Sequence, residues 1–177
     1  HQLNILNRWK YSGERLVTQF GGRFLTEDRN GGQTGFRNNQ DTPGLYGFVN
    51  NTQRYELFSK LAILFPEAPY RGLGLILNGT VHDSESWFGK TPYLGKQNTL
   101  YANLIYQDIF GNTNHTYKTG AGFKNDVFDE QYGSIYIDRN EVVPGVFFEY
   151  NYKNTDKTSI LIGLRNDFHN LFGNQFV

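Results

Sequence analysis

With 177 residues, a formal net charge of zero and neither Cys nor Met, the chain has no global field to draw in nucleic acid or acidic substrates. It also has no thiols for a disulfide framework or a thiolate metal site. Aromatic residues make up 16% of it and it has 20 glycines, a mixture that favours strands and tight turns. No run approaches the about 18 apolar residues of a membrane-spanning helix, and a mean hydropathy of −0.57 excludes a helical membrane protein. It leaves open a membrane barrel, in which wet interior positions dilute the lipid-facing ones.

The first segment already alternates: Leu3, Ile5, Trp9 and Tyr11 share one parity, Asn4, Arg8 and Lys10 lean to the other, and Ser12-Gly13-Glu14 turns the chain. Residues 15–28 set Leu16, Phe20, Gly22 and Phe24 against Arg15, Gln19, Arg23 and Glu27. A polar, glycine-rich stretch over 30–52 reads as a long loop. Residues 53–65 resume with Tyr55, Leu57, Leu61, Ile63 and Phe65 against Arg54, Glu56 and Lys60, and Pro66 to Gly72 turns the chain. Residues 73–88 set Leu73, Leu75, Leu77 and Val81 against Asn78, Thr80 and His82, and the polar "GKTPYLGKQN" reads as a second long connection.

Residues 99–110 set Leu100, Ala102, Leu104, Tyr106 and Phe110 against Asn103 and Gln107, and "GNTN" is a compact hairpin signal. Residues 115–128 set His115, Tyr117, Ala121 and Phe123 against Lys118, Gly120, Gly122, Lys124 and Asp126, and a loop to about Glu141 follows. Residues 142–153 put Val146, Phe148, Tyr150 and Tyr152 opposite Glu149, Asn151 and Lys153, and "NTDK" leads to "TSILIGLRNDFHN". There Ile160, Ile162, Leu164 and Phe168 share one face, and Arg165, Asp167 and His169 the other.

This predicts eight antiparallel strands with connections alternating short and long, the pattern of an outer-membrane barrel with tight turns at one rim and long loops at the other. Aromatic residues beside the short turns (Trp9 and Tyr11, Phe65, Phe110, Tyr150 and Tyr152) suit an interfacial girdle. The expected fold is therefore all-β, an antiparallel transmembrane β-barrel. Two alternatives remain: a self-contained eight-stranded barrel of structural or adhesive type, and a soluble sandwich that binds through its long loops.

The strings "YANLIYQDIFGNTNHTYKTGAGFKND" (101–126), "RNEVVPGVFFEYNY" (139–152) and "ILIGLRNDFHNLFG" (160–173) resemble the barrel of TonB-dependent outer-membrane receptors of the Bacteroidota type. The resemblance runs from about Arg54 onward and is strongest after Tyr101. It implies a 22-stranded barrel closed by a plug domain, energised through the TonB complex, in the outer membrane of a Gram-negative bacterium. It also implies active uptake of a bulky nutrient: an iron–siderophore, a metal complex, cobalamin or a glycan. The partners implied are the bilayer, the plug and remaining strands, TonB through the plug, and a surface lipoprotein, with no nucleic acid. On that reading the chain, which opens inside an alternating pattern with no signal peptide, is an internal piece of the barrel wall. The barrel-wall reading needs no cofactor.

Candidate sites follow from the faces. Glu149, Arg165, Asp167, His169 and Lys124 are expected on an interior wall facing the plug, with Glu149 pairing Arg165. His82, Asp83 and Glu85 form a local cluster that could bind a metal chelate, which makes His82 a ligand-binding candidate beside the loop aromatics, but no His-x-His or His-x3-His spacing is present and no metal site is assigned. Trp87, Tyr46, Phe36 and Phe48 are loop aromatics that could stack on a ligand. The glycine pairs of "GGRF" and "GAGF" mark places where another backbone or the plug approaches closely. With no Cys, no G-x-S-x-G elbow, no P-loop and no H-E-x-x-H, no enzymatic activity is expected.

Overall fold

A computed structural model describes residues 1–36, 44–154 and 158–177. Period-two alternation becomes one antiparallel sheet of nine strands in chain order. They are β1 (Gln2–Ser12), β2 (Leu16–Gly32), β3 (Gly47–Leu64), β4 (Gly72–Phe88), β5 (Thr91–Ile109), β6 (His115–Tyr132), β7 (Ile135–Asn154), β8 (Thr158–His169) and β9 (Gly173–Phe176). Each pairs only with its sequence neighbours, and the eight ladders run without a bulge. Among the described residues there is no helix.

Eight strands were expected; Gly173–Phe176 adds a short ninth, too brief to show alternation in sequence. The long connections expected after the fourth and sixth strands are in fact two-residue hairpins, Gly89-Lys90 and Gly133-Ser134, each with a glycine at positive φ. Residues read as polar loop there are strand, as are residues 47–52. Loop length therefore does not separate the two ends of the sheet. Of the 30–52 loop, residues 37–43 lie outside the described residues, as do 155–157 of the "NTDK" turn.

The two alternatives fail on topology. β1 meets only β2 and β9 only β8, so the sheet does not close on itself, and no strand packs across a second layer. Among the described residues no hydrophobic side chain is buried; the buried polar and charged ones are Thr80, Ser86, Asp108 and Asp126. That is the inverse of a soluble domain, in which large apolar side chains fill the centre.

The registers put all the odd or all the even positions of each strand on one face, so the faces can be read across the sheet. The apolar face carries a continuous band: Leu3–Tyr11 in β1, Leu16–Phe24, Tyr55–Ile63, Leu73–Val81, Leu100–Tyr106, His115–Phe123, Val142–Tyr152 and Ile160–Phe168 in β8, counting alternate residues. Most of these stretches are 7–11 residues long, near the 9–11 of a tilted transmembrane strand. Beyond the band the same face turns polar at Asp28, Asn51, Asp83, Glu85, Lys96, Asp129 and Asp138.

The band slants. Tyr11, the last band residue of β1, is in register strand by strand with Thr18, Leu61, Leu75, Leu104, Ala121, Val146 and Asn166, yet the band in β8 reaches Ile160, six residues further. Six residues at about 3.3 Å across seven strand spacings of about 4.8 Å correspond to strands tilted by about 30° from the normal of the band. The turns drift in the same sense. Val17, at the first turn, is in register with Phe147, seven residues short of Asn154 at the fourth turn, and over five strand steps this corresponds to about 44°. Barrel closure demands a tilt of about 35–45°.

Aromatic residues edge the band. At the turn end Phe110 stacks on Tyr117 at 4.3 Å, His115 lies 4.9 Å from Tyr152, and the His115 Nδ1 is 2.6 Å from the Tyr150 hydroxyl. At the other end Phe24 packs against Tyr55 at 5.0 Å.

Candidate functional site on the polar face

The face opposite the band is a sheet of ionic and amide side chains that bond one another across strands. Asp126 is its most buried member. Its carboxylate accepts from the Thr99 hydroxyl at 2.5 Å and from Gln97 at 3.4 Å, and lies 2.5 Å from the Lys124 ammonium. A carboxylate with this little solvent stays ionised only because charge and donors surround it. In β3–β4, Asn78 donates to Glu56 at 3.1 Å, while Thr80 donates to the Asn78 amide oxygen. Nearer the Gly89-Lys90 hairpin, Ser84 and Ser86 both donate to the Asn50 amide oxygen.

Lys124, Glu149, Arg165, Asp167 and His169 share this face, but not with all the expected partners. Glu149 pairs with Lys118 at 2.9 Å, not with Arg165; register places it opposite Gly163, while Arg165 reaches its own strand neighbour Asp167 at 2.7 Å. His169 lies 3.7 Å from Glu141, which Arg139 holds at 2.8 Å. Among the described residues, the Asp167 Oδ1 and His82 Nδ1 are buried without a hydrogen-bond partner.

The cluster expected from His82, Asp83 and Glu85 does not form. His82 is on the polar face, in register with Arg54 and Gln97, whereas the two carboxylates project from the opposite face of β4. No group of three metal-ligating side chains is present among the described residues. Trp87 lies in a strand, on the parity of the apolar face, in register with Val49 and Pro92. Phe36 and Tyr46 sit at the base of the loop, the first against Gly47 and the second over Gly89, and Phe48 pairs with Phe88 at 5.3 Å on the other parity. The four aromatics therefore do not make one platform.

The glycine pairs mark close approach of another backbone, one of the two neighbours expected there. In each, one glycine lies directly under a phenylalanine of the next strand: Gly21 under Phe58 and Gly120 under Phe147, with backbone carbonyls of the strand on the other side leaving no room for a Cβ. The sheet packs on itself there.

Sequence alone gave no warning of the bond between Arg71 and Asp108. The Arg71 Nε donates to the Asp108 carboxylate at 2.8 Å, as do the Tyr106 hydroxyl at 2.6 Å and the Ile109 amide at 2.9 Å, while the guanidinium sits over the Phe65 ring. Asp108 lies past the band at the turn end of β5. The Tyr106 hydroxyl first, then the Ile109 amide and Arg71, hold its carboxyl below the usual range, against the opposing effect of burial. The cluster ties the turn over residues 65–71 to the neighbouring hairpin.

No family model matches the chain, and no curated protein matches it. Among solved structures, the alcaligin outer-membrane receptor FauA of Bordetella pertussis superposes with a TM-score of 0.75 at 12% identity, over 99% of this chain and 31% of that one. A ferric enterobactin receptor variant of Pseudomonas aeruginosa, PfeA, in complex with enterobactin, covers 99% of this chain and 40% of its own at 11% identity. Its TM-score of 0.41 is too low to carry weight. At these identities the likeness is one of fold: this nine-stranded antiparallel sheet is similar to the barrel wall of an outer-membrane receptor.

Proposed function

We propose that the chain is a section of the barrel wall of a TonB-dependent receptor in the outer membrane of a Gram-negative bacterium, serving the active uptake of a bulky nutrient. The slanted apolar band carries this reading. One face is apolar over the height of a hydrocarbon layer, the other is mostly polar, ionic on β1–β3 and β6–β8 and uncharged across β4–β5, and the tilt of about 30–45° that band and turns imply overlaps the tilt a closed barrel needs. The apolar face meets lipid, and the polar face lines a lumen. Both edge strands carry unpaired backbone groups, which cost several kcal/mol each in hydrocarbon, so further strands complete the cylinder at β1 and β9.

In this reading a plug fills the lumen and couples to TonB. Strand extensions beyond the band stand outside the cell, and cargo is an iron–siderophore or a nutrient of similar bulk. The likeness to an alcaligin receptor supports the class of protein and names no cargo for this one. The wall residues hold and seal; they perform no chemistry, and the ion pairs of β6–β8 are satisfied by neighbours in the wall itself. The test is the protein as its gene encodes it, recovered from fractionated envelopes. It should sediment with outer membranes and migrate faster in a detergent gel when unheated than when boiled. A soluble protein, or one whose migration ignores heating, overturns the proposal.

A further inference from the structure

We infer that the lumen side of β1–β3 is the docking surface for an acidic face of another part of the same polypeptide, and that β6–β8 is not. This rests on the receptor-wall reading and concerns where the plug is held. The neutral overall charge conceals a strong asymmetry. On the polar face of β1–β3 stand six cations, Arg8, Lys10, Arg23, Arg29, Arg54 and Lys60, against two carboxylates, Glu27 and Glu56, a surplus of four. On the same face of β6–β8, five cations meet five carboxylates.

Pairing sharpens the contrast. In β6–β8, Lys118, Lys124, Arg139 and Arg165 each have a carboxylate within 2.5–2.9 Å. In β1–β3, Arg8, Lys10 and Lys60 make no side-chain hydrogen bond or ion pair among the described residues, and Arg23 reaches only the Asn4 amide oxygen at 3.0 Å. Lys10 and Lys60 flank Gln19 in one register row, at the edge of a cavity of about 550 Å³ whose floor includes Gly72 and Gly74. A Cβ at either glycine would meet nothing nearer than 3.9 Å, so the floor is open to an incoming chain. Arg8 and Lys10 alternate with Trp9 and Tyr11 of the band, which puts the cations at the depth of the hydrocarbon layer.

Charges at that depth, against low-dielectric walls, are costly unless permanently neutralised. Passing cargo neutralises them only in transit, whereas a resident acidic surface does so at all times. The opposite half of the wall has neutralised itself already.

The experiment treats outer membranes containing the whole protein with a carbodiimide, which joins carboxylates to amines in direct contact, and maps the links by peptide mass spectrometry. Lys10 and Lys60 are expected to link to Asp or Glu of the same polypeptide outside these 177 residues. The yields should be at least tenfold above those of Lys118 and Lys124 to the same region. A Lys10→Arg, Lys60→Arg double variant, which keeps the charge but cannot be linked, should lose the links and keep the heat-resistant gel mobility. Lys10→Gln with Lys60→Gln should leave the barrel heat-modifiable while exposing the plug to added protease.

Unlinked lysines that a small water-soluble acylating reagent modifies freely would show an open aqueous lumen, and would overturn this inference alone. A protein that is not heat-modifiable in the outer membrane would overturn the receptor reading itself.

Discussion

Leu77→Arg is the most discriminating substitution in the wall. Leu77 sits on the apolar face at the centre of the β4 band, four residues from Leu73 and four from Val81. At about 3.3 Å per residue and a tilt of about 30–45°, it lies about 10 Å from each edge of a band about 20 Å tall between outer Cα atoms. Side chains extend that to about the 25 Å expected of an outer-membrane barrel. An arginine there must hold its guanidinium in hydrocarbon or distort the bilayer, at about 2–4 kcal/mol, whereas near an interface the cost falls to about 0–1 kcal/mol.

Asp83 is six residues further along the same face, beyond the band, so Asp83→Arg is the matched control. The assay is refolding of each variant into phospholipid vesicles across a denaturant series, read by the heat-sensitive gel shift. Leu77→Arg should lower the folding constant by about 30- to 1,000-fold, since each 1.4 kcal/mol is tenfold, while Asp83→Arg changes it less than about fivefold. Equal effects at the two positions, or a neutral Leu77→Arg, would refute the assignment of this face to lipid.

Three further outcomes follow from the polar face and the rim. Asp126→Ala takes away the acceptor of the Thr99 hydroxyl and the partner of the half-exposed Lys124 ammonium and should cost about 1–3 kcal/mol in the same assay, whereas Lys118→Ala, in a pair open to solvent at both ends, should cost about 1 kcal/mol or less. Gly120→Ala should destabilise by about 1–3 kcal/mol because its Cβ collides with the Leu104 carbonyl and the Phe147 ring; Gly163→Ala, with nothing within 4 Å, should be neutral. Because the Asp108 carboxyl titrates below its ordinary 3.8, its contribution is complete above that pH and is lost as the pH falls through the lowered value. Protection of the amides in the turn over residues 65–71, taken relative to the intrinsic exchange rate at each pH, should therefore fall at low pH in the native protein, and Asp108→Asn should lower it already at pH 7.

The strands were legible wherever one face was apolar and the other polar, which is why Leu73–Val81 and Ile160–Phe168 could be assigned to faces from parity alone. Beyond the band both faces are wet, alternation vanishes, and Thr91–Asn98 or Ile135–Glu141 read as loop although they are strand. Partners within the polar face were not legible, because they depend on register. Glu149 meets Lys118 and not Arg165 because of how β6, β7 and β8 are aligned, and no local pattern encodes that. The separation of His82 from Asp83 and Glu85 could have been read from parity, since adjacent residues of a strand face opposite ways.

The central claim is that the apolar face meets lipid and the polar face meets an aqueous or plug-filled interior. The 177 residues hold no Cys, so single cysteines placed in turn from Ser159 to His169 can each carry a spin label in the membrane-embedded protein. Labels at positions 160, 162, 164 and 168 should be relaxed strongly by oxygen dissolved in the bilayer, and those at 159, 161, 163, 165 and 167 weakly, in strict alternation. Uniform accessibility, or alternation of the opposite phase, would contradict the account.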